Sequence, residues 1–101
     1  MYLVFCNVPP NMSRATARRL VTEGWAACVN IIPGVTSMYV WDNEFIEDSE
    51  DTLLIKIAWE RWEAFRDFLT EIHPYSNPEI IAVDPAGVPE AYKAWVRETA
   101  G

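Results

Sequence analysis

The feature that most constrains this chain is a long strand-like stretch at its centre. Residues 26–41 are rich in β-branched, aromatic and other apolar side chains, and a second strand-like stretch covers residues 44–57. The Asp-Asn pair between them tolerates the positive φ angles of a two-residue hairpin turn. The only interruption is at Pro33 and Gly34, which predict a bulge or a bend. The sequence therefore predicts one very long β-hairpin.

This hairpin is too long for the domain that carries it. Sixteen extended residues reach roughly 50 Å, whereas a domain of about 100 residues has a radius of gyration near 13 Å. The chain has 101 residues, so residues 1–101 are predicted to form a single domain. The hairpin should extend past it and expose a backbone edge that needs a partner. We expect this edge to pair with neighbouring subunits, and the predicted interface residues are Val35, Met38, Tyr39, Val40 and Trp41.

Shorter strands and helices are predicted on both sides of the hairpin. Hydrophobic periodicity, prolines and glycines set their limits. A strand is predicted at residues 2–8, followed by a helix at 12–24 that is capped by Asn11 and ended by Gly24. After the hairpin comes a second helix with Arg61 on its solvent-facing side and an apolar stripe made of Trp59, Trp62, Phe65, Phe68, Leu69 and Ile72. A strand at 79–83 and a last helix from Pro89, with Tyr92, Trp95 and Val96 on one face, complete the predicted elements. This β-α-β-β-α-β order with an added C-terminal helix predicts an α+β, ferredoxin-like sandwich.

Composition and motifs exclude several classes of function. The chain has 15 acidic and 8 basic residues and a net charge of −7, so we expect no nucleic-acid partner and no anionic membrane surface. The N-terminal stretch lacks the basic region of a signal peptide, which predicts a cytoplasmic protein with reduced cysteines. No CxxC, HExxH, P-loop or GxGxxG motif occurs in the sequence. We therefore expect no enzymatic activity.

Several separated motifs are similar to those of one known family. The segment from Ala26 to Tyr39, followed two places on by Trp41, closely resembles the CutA family of divalent-cation tolerance proteins. The other matching motifs, in the same order, are Glu47-Asp48-Ser49-Glu50, His73-Pro74-Tyr75, Pro78-Glu79-Ile80 and Tyr92-x-x-Trp95. The resemblance implies a cytosolic homotrimer joined by long β-arms and linked to tolerance of copper and other divalent metals. It also implies an architecture similar to that of PII signal-transduction trimers.

The chain also departs from the usual family pattern at a few positions. It lacks the common Gly-Lys pair at the hairpin tip, a threonine in the third strand, a second histidine, and the usual residues after His-Pro-Tyr. The residues found instead are Asn43 and Glu44, Ile57, Ile72, and Ser76 and Asn77.

The candidate metal ligands come from the resemblance. It implies that Cys6 and His73 match positions implicated in copper binding. Two ligands are a minimum, and Glu79, Tyr75 or a residue from another subunit are the candidates to complete the site. A thiolate and an imidazole suit copper and, less selectively, zinc. No obligatory cofactor is expected, and copper or another divalent cation is the candidate ligand. From the residues alone, Cys6 can equally be a small buried core residue and His73 a hydrogen-bonded helix end.

Other residues leave further alternatives open. Cys28 is expected to be a packing residue, too far from Cys6 for a disulfide. An acidic run at residues 44–51 is interpreted as a solvated hairpin tip or, alternatively, as a diffuse negative field that concentrates cations. Lys56, Tyr75 and Glu79 are candidates for a cleft between subunits.

Three functional hypotheses follow from these observations. The first is a homotrimer that binds divalent cations weakly in metal tolerance. The alternative is a PII-like ligand-sensing or scaffold trimer that holds a small molecule or peptide in its clefts. The third is an enzyme that uses the cleft at His73, although no nucleophile and base are paired in the sequence.

Overall fold

Four strands and three helices make up the chain in the computed structural model, which describes residues 1–100. They are β1 (Tyr2–Val8), α1 (Ser13–Thr22), β2 (Cys28–Trp41), β3 (Glu44–Ile57), α2 (Trp62–Ile72), β4 (Ile80–Val83) and α3 (Glu90–Ala100). The strands form one antiparallel sheet in the order β2-β3-β1-β4. This confirms the predicted α+β architecture and the added C-terminal helix. Within residues 1–100, no helix is long and apolar enough to span a membrane.

The core lies between one face of the sheet and the first two helices. Alternate residues of a strand point to the same face, so Val4, Cys6 and Val8 of β1 are all fully buried. Phe65 and Leu69 of α2 pack in the same cluster, which α1 completes. Each such side chain contributes about 1.5–3 kcal/mol by leaving water. Residues of β1 with the opposite parity face the side of the sheet away from this core.

The hairpin turn and its bulge form where the sequence predicts them. Asp42 and Asn43 adopt φ angles of 51° and 63°, as a two-residue type I′ turn requires. The register of β2 against β3 shifts between Ile32 and Val35, and Gly34 there has a φ of 71°. A side chain at this φ would be strained, which explains the glycine.

The outer half of the hairpin has no third strand beside it. Strand β1 pairs with β3 only from residue 51 onward, so residues 35–41 and 44–50 pair with each other alone. We call this two-stranded segment, residues 35–50, the β-arm. It makes the molecule elongated, with extents of 46 × 27 × 23 Å. The prediction that the hairpin extends past its own domain is confirmed.

A stack of four side chains joins α1 to α2. Helix α1 ends at Gly24 with a φ of 77°, and this turn places the ring of Trp25 on Phe68, with 4.6 Å between centroids. The guanidinium of Arg19 lies 5.0 Å from the Phe68 centroid, and that of Arg61 lies 4.6 Å from the Trp25 centroid. Arg61 also donates a 3.1 Å hydrogen bond to the carbonyl oxygen of Gly24. The prediction that Arg61 simply faces solvent is therefore wrong.

Three other local predictions are wrong. Asn11 does not cap α1 but lies inside a 3-10 turn, Pro10–Met12, and the helix has no side-chain cap. Trp59 precedes α2 in a second 3-10 turn, so it falls out of phase with the apolar stripe and is 54% exposed. Of the three residues predicted to share one face of α3, Val96 is buried, whereas Tyr92 and Trp95 are exposed in this chain.

The stack predicts a specific loss of stability. We expect Arg61→Ala to lower the free energy of unfolding by about 1–2 kcal/mol, because a cation–π contact and a hydrogen bond are both lost. The matched control is Arg66→Ala on α2, whose only ion pair is exposed and which should cost less than about 0.5 kcal/mol. Urea unfolding measures both. Equal losses for the two variants would contradict the role of the stack.

Candidate functional site

A cavity of about 710 Å³ lies at the base of the β-arm, on the face of the sheet opposite the core. Its walls come from β1, the two strands of the β-arm and the loop between α2 and β4. Because alternate residues of a strand share a face, Asp48 and Glu50 of β3 point to the same side as Tyr39 of β2. The other lining residues are Asn7, Ser37, Met38, Trp41, Ile46, Tyr75, Ser76, Asn77 and Glu79. We call this cavity the arm pocket.

His73 positions the loop that forms one wall of the arm pocket. It is 8% exposed and follows the last residue of α2. Its Nε2 lies 2.8 Å from the carbonyl oxygen of Asn7, which can only accept, so Nε2 carries the proton. Its Nδ1 accepts a 3.1 Å hydrogen bond from the backbone N–H of Tyr75. Both ring nitrogens are therefore occupied by hydrogen bonds to the backbone.

Tyr75 connects this loop to the β-arm. Its hydroxyl donates a 3.1 Å hydrogen bond to Oε2 of Glu50, a carboxylate that is only 7% exposed. Burial and this carboxylate raise the pKa of Tyr75 to about 12. On the arm itself, the hydroxyl of Tyr39 donates to the carboxylate of Asp48, which raises the pKa of Tyr39. Each phenol thus fixes the position of one carboxylate.

The arm pocket has a strongly negative electrostatic character. Three carboxylates line it, those of Asp48, Glu50 and Glu79, and no lysine, arginine or histidine is among its lining residues within 1–100. Their negative charge also affects Cys6 on the core side of the sheet. Burial, and then the charges of Glu79 and Glu50, raise the pKa of Cys6 to about 12. Such a site attracts cations and disfavours anions.

The two predicted metal ligands do not form a preassembled site. Cys6 is fully buried in the core and its raised pKa keeps the sulfur protonated, whereas metals bind the thiolate. His73 has no free ring nitrogen in this arrangement. No group of three or more His, Cys, Asp or Glu side chains converges around a point in residues 1–100. Metal binding by Cys6 and His73 stays a prediction, and it would require both residues to leave their present contacts.

The cleft candidates separate into two places. Tyr75 and Glu79 line the arm pocket together, but Lys56 does not. Lys56 instead donates to the side-chain oxygen of Asn30, and its Nζ lies 3.8 Å from the sulfur of Cys28. Within this single chain Lys56 therefore lies apart from Tyr75 and Glu79, and a cleft between subunits that includes all three stays a prediction. Both cysteines are free, as expected, since β3 separates their strands.

Sequence reasoning missed the residues that hold the arm pocket together. The acidic run was interpreted as a solvated tip, yet Glu50 is buried at the base of the arm. The available signal is the spacing of Asp48 and Glu50, which puts both on one face of a strand. The sequence does not indicate the role of Asn7, because its backbone carbonyl oxygen approaches His73 only in the folded chain.

Comparison with known proteins identifies the family. The family model described as "CutA1 divalent ion tolerance protein" matches residues 2–99. The chain belongs to the CutA family. It is 40% identical to the divalent-cation tolerance protein CutA of Thermus thermophilus, over 98% of this chain and 97% of that one. It is 38% identical to the human protein CutA, over 86% of this chain but only 49% of the human one.

Solved structures of family members have the same fold. The T. thermophilus structure covers 99% of this chain and 98% of its own at 40% identity, with a TM-score of 0.92. A structure described as the PII-like protein CutA from Nostoc sp. PCC 7120 in apo form has a TM-score of 0.95 at 31% identity, covering 100% of this chain and 98% of its own. The expected likeness to PII-like proteins is thus confirmed for the fold.

The Tyr75–Glu50 contact predicts a defined alkaline titration. Tyr75 is expected to ionise near pH 12 in the folded protein, above the ordinary tyrosine value of about 10. Because the folded pKa is the higher one, the stabilisation is complete below about pH 10 and is lost as the pH rises through about 12. The tyrosinate absorbance of wild type minus that of Tyr75→Phe isolates this group.

Glu50→Gln provides the control for this titration. It removes the negative charge but keeps an acceptor, so the pKa of Tyr75 should fall while the group stays partly shielded from water. An ordinary pKa for Tyr75 in the wild type, unchanged by Glu50→Gln, would show that the contact does not form in solution.

Proposed function

We propose that this CutA-family protein acts in divalent-cation tolerance as a homotrimer, and that its arm pocket draws cations from solution. The observation that carries the proposal is the pocket itself, which three carboxylates line with no basic side chain among the lining residues of the described chain. Family membership supports the link to divalent cations. The number of subunits follows from the family resemblance.

The β-arm supports assembly. Met38, Val40 and Trp41 are among the predicted interface residues and are 62%, 69% and 58% exposed in the single chain. Tyr39 is 41% exposed, whereas Val35 is half-buried at the inner end of the arm. A two-stranded ribbon without a third strand is marginally stable in water. Contact with other copies would cover these side chains and place a further element beside the two strands of the β-arm.

Cations are attracted here by the field of the carboxylates rather than by a coordination shell. Direct binding of a metal ion needs several ligand atoms at about 2–2.6 Å from one point. The described residues provide no such group, and Cys6 and His73 are occupied elsewhere. Weak, salt-sensitive association with little preference among metals is the behaviour expected of such a site.

A second candidate function is favoured by the size of the arm pocket. A volume of about 710 Å³ falls within the range of about 300–1,000 Å³ typical of small-molecule sites. The neighbour from Nostoc is described as PII-like. On this interpretation the pocket holds a small molecule next to the arm, and the assembly senses or carries it.

Assembly is tested by a charge placed on the arm. We expect the wild type to have the mass of three chains by light scattering, and Val40→Lys to dissociate, because symmetry buries the new charge once per subunit. The control is Val21→Lys, an exposed valine of α1 that is 43% accessible and should leave the trimer intact. Circular dichroism checks that both variants fold. A monomeric wild type at micromolar concentration would overturn the proposed assembly.

Metal binding is tested with one hard and one softer cation. If the field of the carboxylates attracts them, Mn²⁺ and Zn²⁺ should bind weakly and within about threefold of each other, and salt should weaken both. The combined variant Asp48→Asn, Glu50→Gln and Glu79→Gln should lose the binding, and Cys6→Ser should keep it. Calorimetric titration measures all three proteins. Strong preference for Zn²⁺ that disappears in Cys6→Ser would instead support the thiol and imidazole pair.

A further inference from the structure

We propose that the arm pocket selectively binds an organic cation that carries N–H donors, an amine or a guanidinium compound. The inference deepens the second candidate function and rests on it, because it names the chemical class of the small molecule.

The pocket has more hydrogen-bond acceptors than donors. Glu50 is 93% buried, yet within residues 1–100 its carboxylate receives one side-chain hydrogen bond, from Tyr75 to Oε2. No fully buried side-chain oxygen in residues 1–100 lacks a partner, so the other oxygen of Glu50 keeps some access to solvent, and Glu50 lines the arm pocket. The hydroxyl of Tyr39 is likewise already used on Asp48. A ligand that supplies N–H donors would complete these acceptors.

The carboxylates are spaced for a cation larger than a metal ion. Asp48 and Glu50 are two residues apart on β3, about 7 Å along the strand. Glu79 directly precedes β4, which lies on the other side of β1, about 10 Å across the sheet from β3. These distances explain why the residues do not converge as a metal site. They match a molecule whose positive groups are several ångströms apart.

Aromatic rings form part of the same walls. Tyr39, Trp41 and Tyr75 line the pocket with the carboxylates, and Tyr39 and Trp41 are also predicted interface residues, so the pocket lies beside the proposed contact between copies. The face of an aromatic ring attracts an ammonium or guanidinium group, by about 0.5–2 kcal/mol per contact. A bare, strongly hydrated divalent ion gains less from such walls, whereas the alkyl part of an organic cation packs on them. Aromatic rings beside carboxylates therefore favour the organic ligand.

The experiment uses the full chain and calorimetric titration with matched probes. Putrescine and agmatine carry positive groups at the two ends of a short chain, butanediol has a similar length without charge, and Mg²⁺ has charge without an organic chain. We expect putrescine or agmatine to bind, and butanediol and Mg²⁺ to bind at least about tenfold more weakly. Glu50→Gln should weaken amine binding about tenfold or more, because a charge-assisted hydrogen bond is lost.

The matched control is Glu63→Gln, which removes the same charge from an exposed position on α2 and should change the affinity less than about twofold. Equal binding of Mg²⁺ and the amines would overturn the inference, as would equal effects of the two variants. Light scattering on the same samples separates the two proposals. Absent amine binding by an intact trimer overturns this inference alone, whereas a monomer contradicts the proposed assembly.

Discussion

Backbone pairing between β2 and β3 is the constraint on which the rest of the structure depends. The inner half of this hairpin belongs to the four-stranded sheet and carries core residues such as Leu53 and Ile55. The outer half continues the same pairing with no third strand and no helix against it. One element therefore serves both as the centre of the fold and as the exposed arm. The bulge at Gly34 lies where the two halves meet and resets the register between them.

Much of this fold could be predicted because the relevant signals are local. The turn at Asp42 and Asn43 and the glycines at residues 24 and 34 each need a positive φ angle, which few residue types adopt. The length of the strand-like stretch follows directly from counting residues. Trp59 was misplaced because a 3-10 turn shifts the phase of the helix that follows it, and hydrophobic periodicity does not register such a shift.

The arm pocket was harder to predict because its contacts join residues that are far apart in the chain. The Tyr75–Glu50 hydrogen bond spans 25 positions, and the His73–Asn7 hydrogen bond spans 66. The residue types alone do not indicate which partners these four side chains and backbone groups find in the folded chain. The family resemblance suggested that His73 is a metal ligand, but an imidazole can also serve as a fixed acceptor and donor in a buried turn. Ser76 and Asn77, two departures from the usual family pattern, line this same pocket.

The bond between Tyr75 and Glu50 has a mechanical consequence. One wall of the cavity belongs to the loop after α2, and the opposite wall belongs to the β-arm. A bound molecule that touches both would limit bending at their junction. In an assembly held together by arms, a molecule bound in one copy would therefore also restrain the segment that contacts the next copy.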